Sequence, residues 1–416
     1  MKKISVSTLD AGIKSSLIPY LSILFILTAL GSWQAFLTHS TWHMGDWLIN
    51  YQGGFVRRGF LGEVIYQLAT YTTINPGFYV FLIQVFFNGC FLFCSFLLLR
   101  KQKTLLPYLL LIFSPFLFMF QINSFDQIES QGGYFKESIY CCLIAVVGWS
   151  AVAYEEKKFT ALFYVILLFY PLAILTHEAF AIFLPMLLII YLAKIELNTK
   201  RCLIIMSLLS LSLVSFVLSL IFSGDKTQVL AIYNSLLPQY PVSTYGSIGW
   251  LMMPLQTAIK RVLLQINYSH YFRNYSLIIL LSLLAFIPVF RQLTFIFKNK
   301  ISCLLFLLSL AGTVCLCCIA IDWGRFIRII LVTLFIFSLV AGPLMNEENK
   351  TINNDVSALF IVLSLGFILS YALLWRIPNC CNYRPPISGF KNNNLRWSYQ
   401  PYKKIIHALI QTINKV

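Results

Sequence analysis

Apolar residues in this chain come in long unbroken runs rather than in the spaced stripes of surface helices. Runs of about 17–22 residues recur from end to end, each enough to carry a helix across the hydrocarbon core of a bilayer. They cover approximately residues 17–37, 78–99, 105–121, 138–153, 202–222, 275–290, 301–320, 329–345 and 356–375. The stretch from Phe159 to Ala193 is too long for one helix and is predicted to fold back at Thr176-His177-Glu178. Lipid gives the backbone no hydrogen-bond partner, so the runs are expected to be helical. The expected fold is an all-α, polytopic integral membrane helix bundle of about 10–11 transmembrane helices. Residues 1–375 make the bundle, with loops at 38–77, 121–137 and 223–274, and residues 376–416 make a polar tail. Residues 59–73 mix apolar and polar positions and read as an amphipathic helix along the interface. The first run has no small-residue cleavage site behind it, so it is expected to be retained.

Composition sharpens this picture. Of 416 residues, 59% are hydrophobic and only 11% charged, yet the net charge is +16. In a soluble chain such an excess would suggest nucleic acid. Here the Lys and Arg flank the apolar runs, where they set topology and meet anionic headgroups, and no basic helix with interleaved aromatics points to DNA or RNA. The eleven cysteines fall mostly inside apolar runs and behave as small hydrophobes. No C-x-x-C pair has a matching partner, and His177-Glu178 is followed at the third position by Ala181, so the H-E-x-x-H zinc motif is absent. No metal or other cofactor is expected.

A basic start, Met1-Lys2-Lys3 with Lys14, places the N-terminus in the cytoplasm. Threading the runs from there brings Asp46, Arg57, Arg58, Glu63, Asp126, Glu129 and Lys136 to the far face of the membrane. Glu137, His177, Glu178, Asp322, Arg325 and Arg328 follow them there. Mixed charge gathered at one rim predicts a polar cavity between helices. Ionisable residues near lipid are expensive and need a reason.

The segment from His43 to Gly59 holds the first candidates. Asp46, backed by Trp42 and Trp47, is read as partly desolvated, with a raised pKa suited to taking a proton from a hydroxyl. Gly53-Gly54 could let backbone amides approach an anion. Arg57-Arg58 could fork a phosphate or bind lipid headgroups. His177 and Glu178 are candidates for catalysis or substrate grip, the alternative being a hydrogen-bonded core histidine. Arg325 and Arg328, three apart, could hold a phosphate together with Asp322 nearby, and Trp323 could stack on a sugar; an aromatic belt with snorkelling Arg is the plainer reading. Asp126, Glu129 and Glu137 could bind a polar substrate or merely solvate a loop. The connection at 223–274 is long enough to carry function or to fold into short helices. There is no G-x-x-x-x-G-K-[ST] loop for a nucleotide donor.

With these residues in view, the chain resembles membrane glycosyltransferases of the GT-C type, which use polyprenyl-phosphate sugars. The resemblance lies in the span pattern and in Asp46 on the first far-side loop. Within that class it looks like the serotype-converting O-antigen glucosyltransferases of bacteria and their phages. The resemblance implies a multi-pass protein of the bacterial inner membrane with a periplasmic active face. Its partners would be an undecaprenyl-phosphate-linked sugar as donor and an O-antigen polysaccharide as acceptor. Asp46 would be the base, Arg57, Arg58, Arg325 or Arg328 would hold the phosphate, and the long loop and tail would select the acceptor. An O-antigen polymerase acting on undecaprenyl-diphosphate-linked units, and a lipid-linked sugar flippase, are the alternatives.

Overall fold

The computed structural model describes residues 3–120, 134–243, 245–344 and 355–377. Helix α1 spans Val6–Leu37, α2 Phe60–Thr72, α3 Pro76–Arg100 and α4 Leu109–Ile112. Then come α5 Glu137–Ala153, α6 Glu156–Thr176, α7 Phe180–Lys194 and α8 Thr199–Ile221. The long connection folds into α9 Lys226–Leu236, a 3₁₀ turn at Gly249–Met252 and α10 Leu255–Tyr268. The chain continues through α11 Tyr271–Leu284, α12 Phe290–Leu293, α13 Phe295–Lys298, α14 Lys300–Ile319, α15 Trp323–Leu344 and α16 Ala358–Leu373. One detail departs from all-α: strands β1 Lys3–Ser5 and β2 Asp355–Ser357 pair antiparallel and tie the chain start to the entry of α16.

By length and composition this is a multi-pass membrane protein. Helices α1, α3, α6, α8, α14 and α15 are each long and apolar enough to cross a bilayer, and α11 with the turns at 287–298 makes a seventh path bent by 50°. Helices α5 and α7 and the apolar stretch Leu359–Leu373 are shorter. The fold-back at Thr176 occurs between α6 and α7 as expected. Helix α15 starts at Trp323, six residues earlier than its apolar run, so Arg325 and Arg328 belong to its first turns.

The run at 105–121 is not one helix. A 3₁₀ turn at Leu106–Tyr108, the single turn of α4 and further turns through Phe120 replace it. Pro107 and Pro115 are the cause: each lacks an N–H and crowds the turn before it. The segment still travels along the bundle. The Leu105 N–H donates to Asp10 Oδ1 (2.6 Å) near the start of α1, while the Phe120 ring lies 4.2 Å from the Arg328 guanidinium.

Helix α15 is the central post. Its side chains are mostly buried, and it packs on α3, α5, α7 and α14. Helix α8 is peripheral: Leu203, Met206, Leu213 and Val217 face outward, as lipid permits, while Ser212, Ser215 and Ser219 are buried. These small side chains share one face of α8, which packs on α6, and small residues let helix backbones approach closely. At one end of the bundle Gln102 donates to the Leu339 carbonyl (2.8 Å) and Tyr108 to that of Ser338 (3.1 Å). At the opposite end the finishes of α1, α6, α8 and α14 meet the starts of α5, α7 and α15, and the ionisable residues gather there.

Candidate active site

The loop after α1 is part of the core. Met44, Trp47, Leu48 and Ile49 are fully enclosed, and successive turns shape residues 40–48. Two buried polar side chains hold it. Trp47 Nε1 donates to the Tyr134 carbonyl (2.6 Å). Gln84 of α3 donates to the carbonyls of His43 (2.8 Å) and Tyr134 (2.9 Å), and its own oxygen accepts from Ser32 of α1 (2.6 Å). Pinned this way, Asp46 sits 3% exposed in the lining of a cavity. Its Oδ2 is buried and has no hydrogen-bond partner among the described residues.

Charged pairs surround it. Arg58 adopts φ 66°, a left-handed backbone that a non-glycine residue holds only when its surroundings over-determine it. Two contacts do so: Lys136 Nζ donates to the Arg58 carbonyl (2.9 Å), and the guanidinium grips Glu178 through Nε (2.8 Å) and Nη2 (2.5 Å). Arg325 pairs with Glu137 and, at 3.4 Å, with Asp322, and its guanidinium lies 3.9 Å from the centre of the Phe135 ring. The Ala179 N–H donates to His177 Nδ1 (3.3 Å), which places the ring proton on Nε2, 3.7 Å from Glu137.

These neighbours set the protonation states. Burial alone would raise the Asp46 pKa, but Lys136, His177, Arg58 and Arg325 outweigh it and hold the carboxyl below its ordinary value. This corrects the expectation of a raised pKa: folding turns Arg58 of the same loop back toward Asp46 and brings Lys136 and Arg325 to it from distant parts of the chain. Burial also opposes ionisation of Glu178, and Arg58 reverses the balance and takes it well below the usual range. Burial lowers His43 and His177 to about 4, so both rings are neutral at pH 7. Lys136, fully buried, falls to about 8.

The cavity has a volume of about 1570 Å³ and three kinds of wall. Its charged floor holds Asp46, Arg57, Arg58, Glu178 and Arg325. Its aromatic and hydroxyl-bearing wall includes Trp42, Trp250, Tyr245 and Ser247. An apolar flank runs down α8 and α14 through Phe216, Leu220, Leu316 and Ile319.

The expected convergence is therefore present: the Asp46 segment and the Asp322 segment line one cavity, with His177 and Glu178 between them. Four candidate residues are placed elsewhere. Gly53 and Gly54 face α9; a Cβ on Gly53 would come within 2.7 Å of the Gln228 Cα, and Gly54 turns the chain at φ 101°, so close packing and a left-handed turn account for this pair. Trp323 donates Nε1 to the Cys317 carbonyl (2.7 Å) and is enclosed by Tyr271, Phe272 and Tyr275, which leaves no face for a sugar. Arg328 lies about a turn deeper than Arg325, against the Phe116 carbonyl (3.3 Å) and the Phe120 ring, so the two do not share a ligand in the cavity. Asp126 and Glu129 lie outside the described residues.

Sequence reasoning passed over His43, Lys136, Trp250 and Arg261 as site residues. His43, three residues before Asp46, carried a readable signal, whereas Arg261 looked like any basic rim residue. Among the described residues no group of three or more His, Cys, Asp and Glu could hold a metal ion. No protein-family profile, curated protein or solved structure matches the chain.

Proposed function

We propose that the protein is a membrane glycosyltransferase that works at the periplasmic face of a bacterial inner membrane and moves a sugar, glucose in the closest resemblance, from undecaprenyl phosphate to O-antigen. One observation carries the reading: a buried carboxylate with a free oxygen, Asp46, stands on the floor of a cavity that also has cationic, aromatic and apolar walls. Each wall suits one part of the reaction. The apolar flank between α8 and α14 fits a polyprenyl chain arriving from lipid. The aromatic wall fits sugar rings, which stack on flat faces.

In the proposed reaction the acceptor hydroxyl gives its proton to Asp46 Oδ2 as its oxygen bonds to the anomeric carbon of the donor. The bond from that carbon to the phosphate oxygen breaks, and its electron pair leaves with the phosphate. The cations near Asp46 keep it ionised at neutral pH and so ready to accept a proton. They also make it a weaker base, so its contribution depends on the dry, fixed geometry of the floor. Charge developing on the leaving phosphate needs positive neighbours more than a proton.

Replacing Asp46 by Asn keeps the shape and removes the base. Sugar transfer in membranes should fall at least ~10²-fold with protein level unchanged. Near-normal transfer would remove Asp46 as the base. Loss of the gene should leave polysaccharide length unaltered and delete one branch sugar; shortened polysaccharide would favour a polymerase.

A further inference from the structure

Donor accounting separates the cavity's arginines. Arg58 is spent on Glu178, and Arg325 on Glu137 and Asp322. Arg57 is not: among the described residues its nearest carboxylate oxygen, on the same Glu178, is 3.9 Å away, and its buried Nε, like that of Arg325, has no partner. Its Nη2 lies 3.5 Å from the Trp250 carbonyl. Arg261 of α10 comes to the same residue from the other direction, its guanidinium 5.1 Å from the Trp250 ring centre. Both arginines line the cavity.

Trp250 is a fixed mount for this pair. Its 3₁₀ turn follows Gly246 and Ser247. A Cβ on Gly246 would sit 1.9 Å from Thr41 Cγ2, and Ser247 Oγ donates to the Trp42 carbonyl (3.3 Å). The pair is thereby registered to the loop that carries Asp46. The Arg57 backbone is held too, its N–H donating to the Phe222 carbonyl (2.8 Å).

We infer that Arg57 and Arg261, joined through Trp250, form the phosphate subsite of the cavity and take the phosphodiester head of a sugar-carrying lipid. This rests on the glycosyltransferase reading above. As the anomeric C–O bond breaks, the diester monoanion becomes a monoester dianion, and two guanidiniums with donors to spare meet the added charge. That interaction grows along the reaction, which is what accelerates it. Helix α10 also points to a ligand borne by the membrane: Arg261, Ala258 and Leu264 line the open cavity, and Leu264 is exposed together with its neighbours Ile259 and Leu263. An outward apolar face of this kind belongs at a lipid boundary.

The test uses the full chain in phosphatidylcholine nanodiscs containing undecaprenyl phosphate, with retained lipid read by native mass spectrometry. Phosphatidylglycerol and inorganic phosphate are added as competitors. Arg261 is exposed, so Arg261→Gln should fold; it should weaken retention of undecaprenyl phosphate about tenfold or more, as should Arg57→Gln, with Arg261→Lys intermediate. Unchanged retention in Arg261→Gln overturns the subsite. Equal retention of phosphatidylglycerol overturns the donor assignment and makes this a headgroup site. Full displacement by inorganic phosphate overturns the lipid-borne ligand. A transfer assay separates the two proposals. If Asp46→Asn retains undecaprenyl phosphate and loses transfer, both stand. If wild-type membranes transfer no sugar while Arg261→Gln loses the lipid, the function proposed above fails alone; if Asp46→Asn keeps transfer, only the role of Asp46 as base is removed.

Discussion

Arg58 and Glu178 are 120 residues apart in the chain and meet through two nitrogens. Arg325 reaches Glu137 across 188 residues. Neither pairing was readable from residue types, because any of the far-side carboxylates could have served any of the arginines. What the pairing decides is which charges remain available to a ligand. Removing one partner should be costly: Glu178→Gln leaves the Arg58 guanidinium poorly compensated in a protein interior. We expect a loss of about 2–3 kcal/mol, below the ~3–5 of a fully buried pair because the Arg58 side chain is a quarter exposed. Chemical denaturation in detergent measures it, and a loss under 0.5 kcal/mol (roughly that of an exposed pair) would mean the pair is screened by water.

The runs at 138–153, 202–222 and 301–320 became helices with nearly the expected bounds, whereas α1 and α15 begin well before their runs and the 275–290 run breaks after Leu284. The Phe159–Ala193 run split at Thr176 because His177 and Glu178 found partners outside either helix. The 105–121 run failed as a helix because two prolines outweigh an apolar composition. Helix α2 was legible from its mixed pattern, and its position follows from Gly62. A Cβ there would lie 1.8 Å from the Ile49 carbonyl oxygen and 2.9 Å from that of Trp47. Both are backbone atoms of the Asp46 loop, and backbone cannot swing aside as a side chain can. Gly62→Ala should therefore cost about 1–3 kcal/mol by overpacking. It should also lower transfer, because relief of the clash moves the loop under Asp46. A stable variant with full activity would show that α2 can withdraw without the loop.

At the scale of the whole molecule, burial of two neutral histidines links stability to acid. His43 and His177 have folded pKa values near 4 against an ordinary 6.5. Between those values the unfolded chain binds protons that the folded chain refuses, so the contribution of these two groups to stability is full above about pH 6.5 and falls as pH drops toward 4. Asp46 and Glu178, both depressed, add a loss of the same sign at the acid end. The thermal midpoint in detergent should decline through this window, less steeply in His43→Gln. A flat profile from neutral pH to pH 4.5 (roughly the foot of that window) would mean the histidines are hydrated in the folded protein.

Hydropathy by itself determined that the chain is a helical, multi-pass membrane protein, since a bilayer leaves a long apolar run one way to satisfy its backbone. It also determined that ionisable residues lie at the ends of the spans, since they cannot lie where lipid is. Which of those residues face a cavity, which neutralise one another and which are sealed behind aromatic rings was decided by tertiary structure alone. Rotation about a helix axis, a proline-broken span and contacts between residues more than a hundred positions apart leave no periodic trace in a sequence, yet they set every distance at the site.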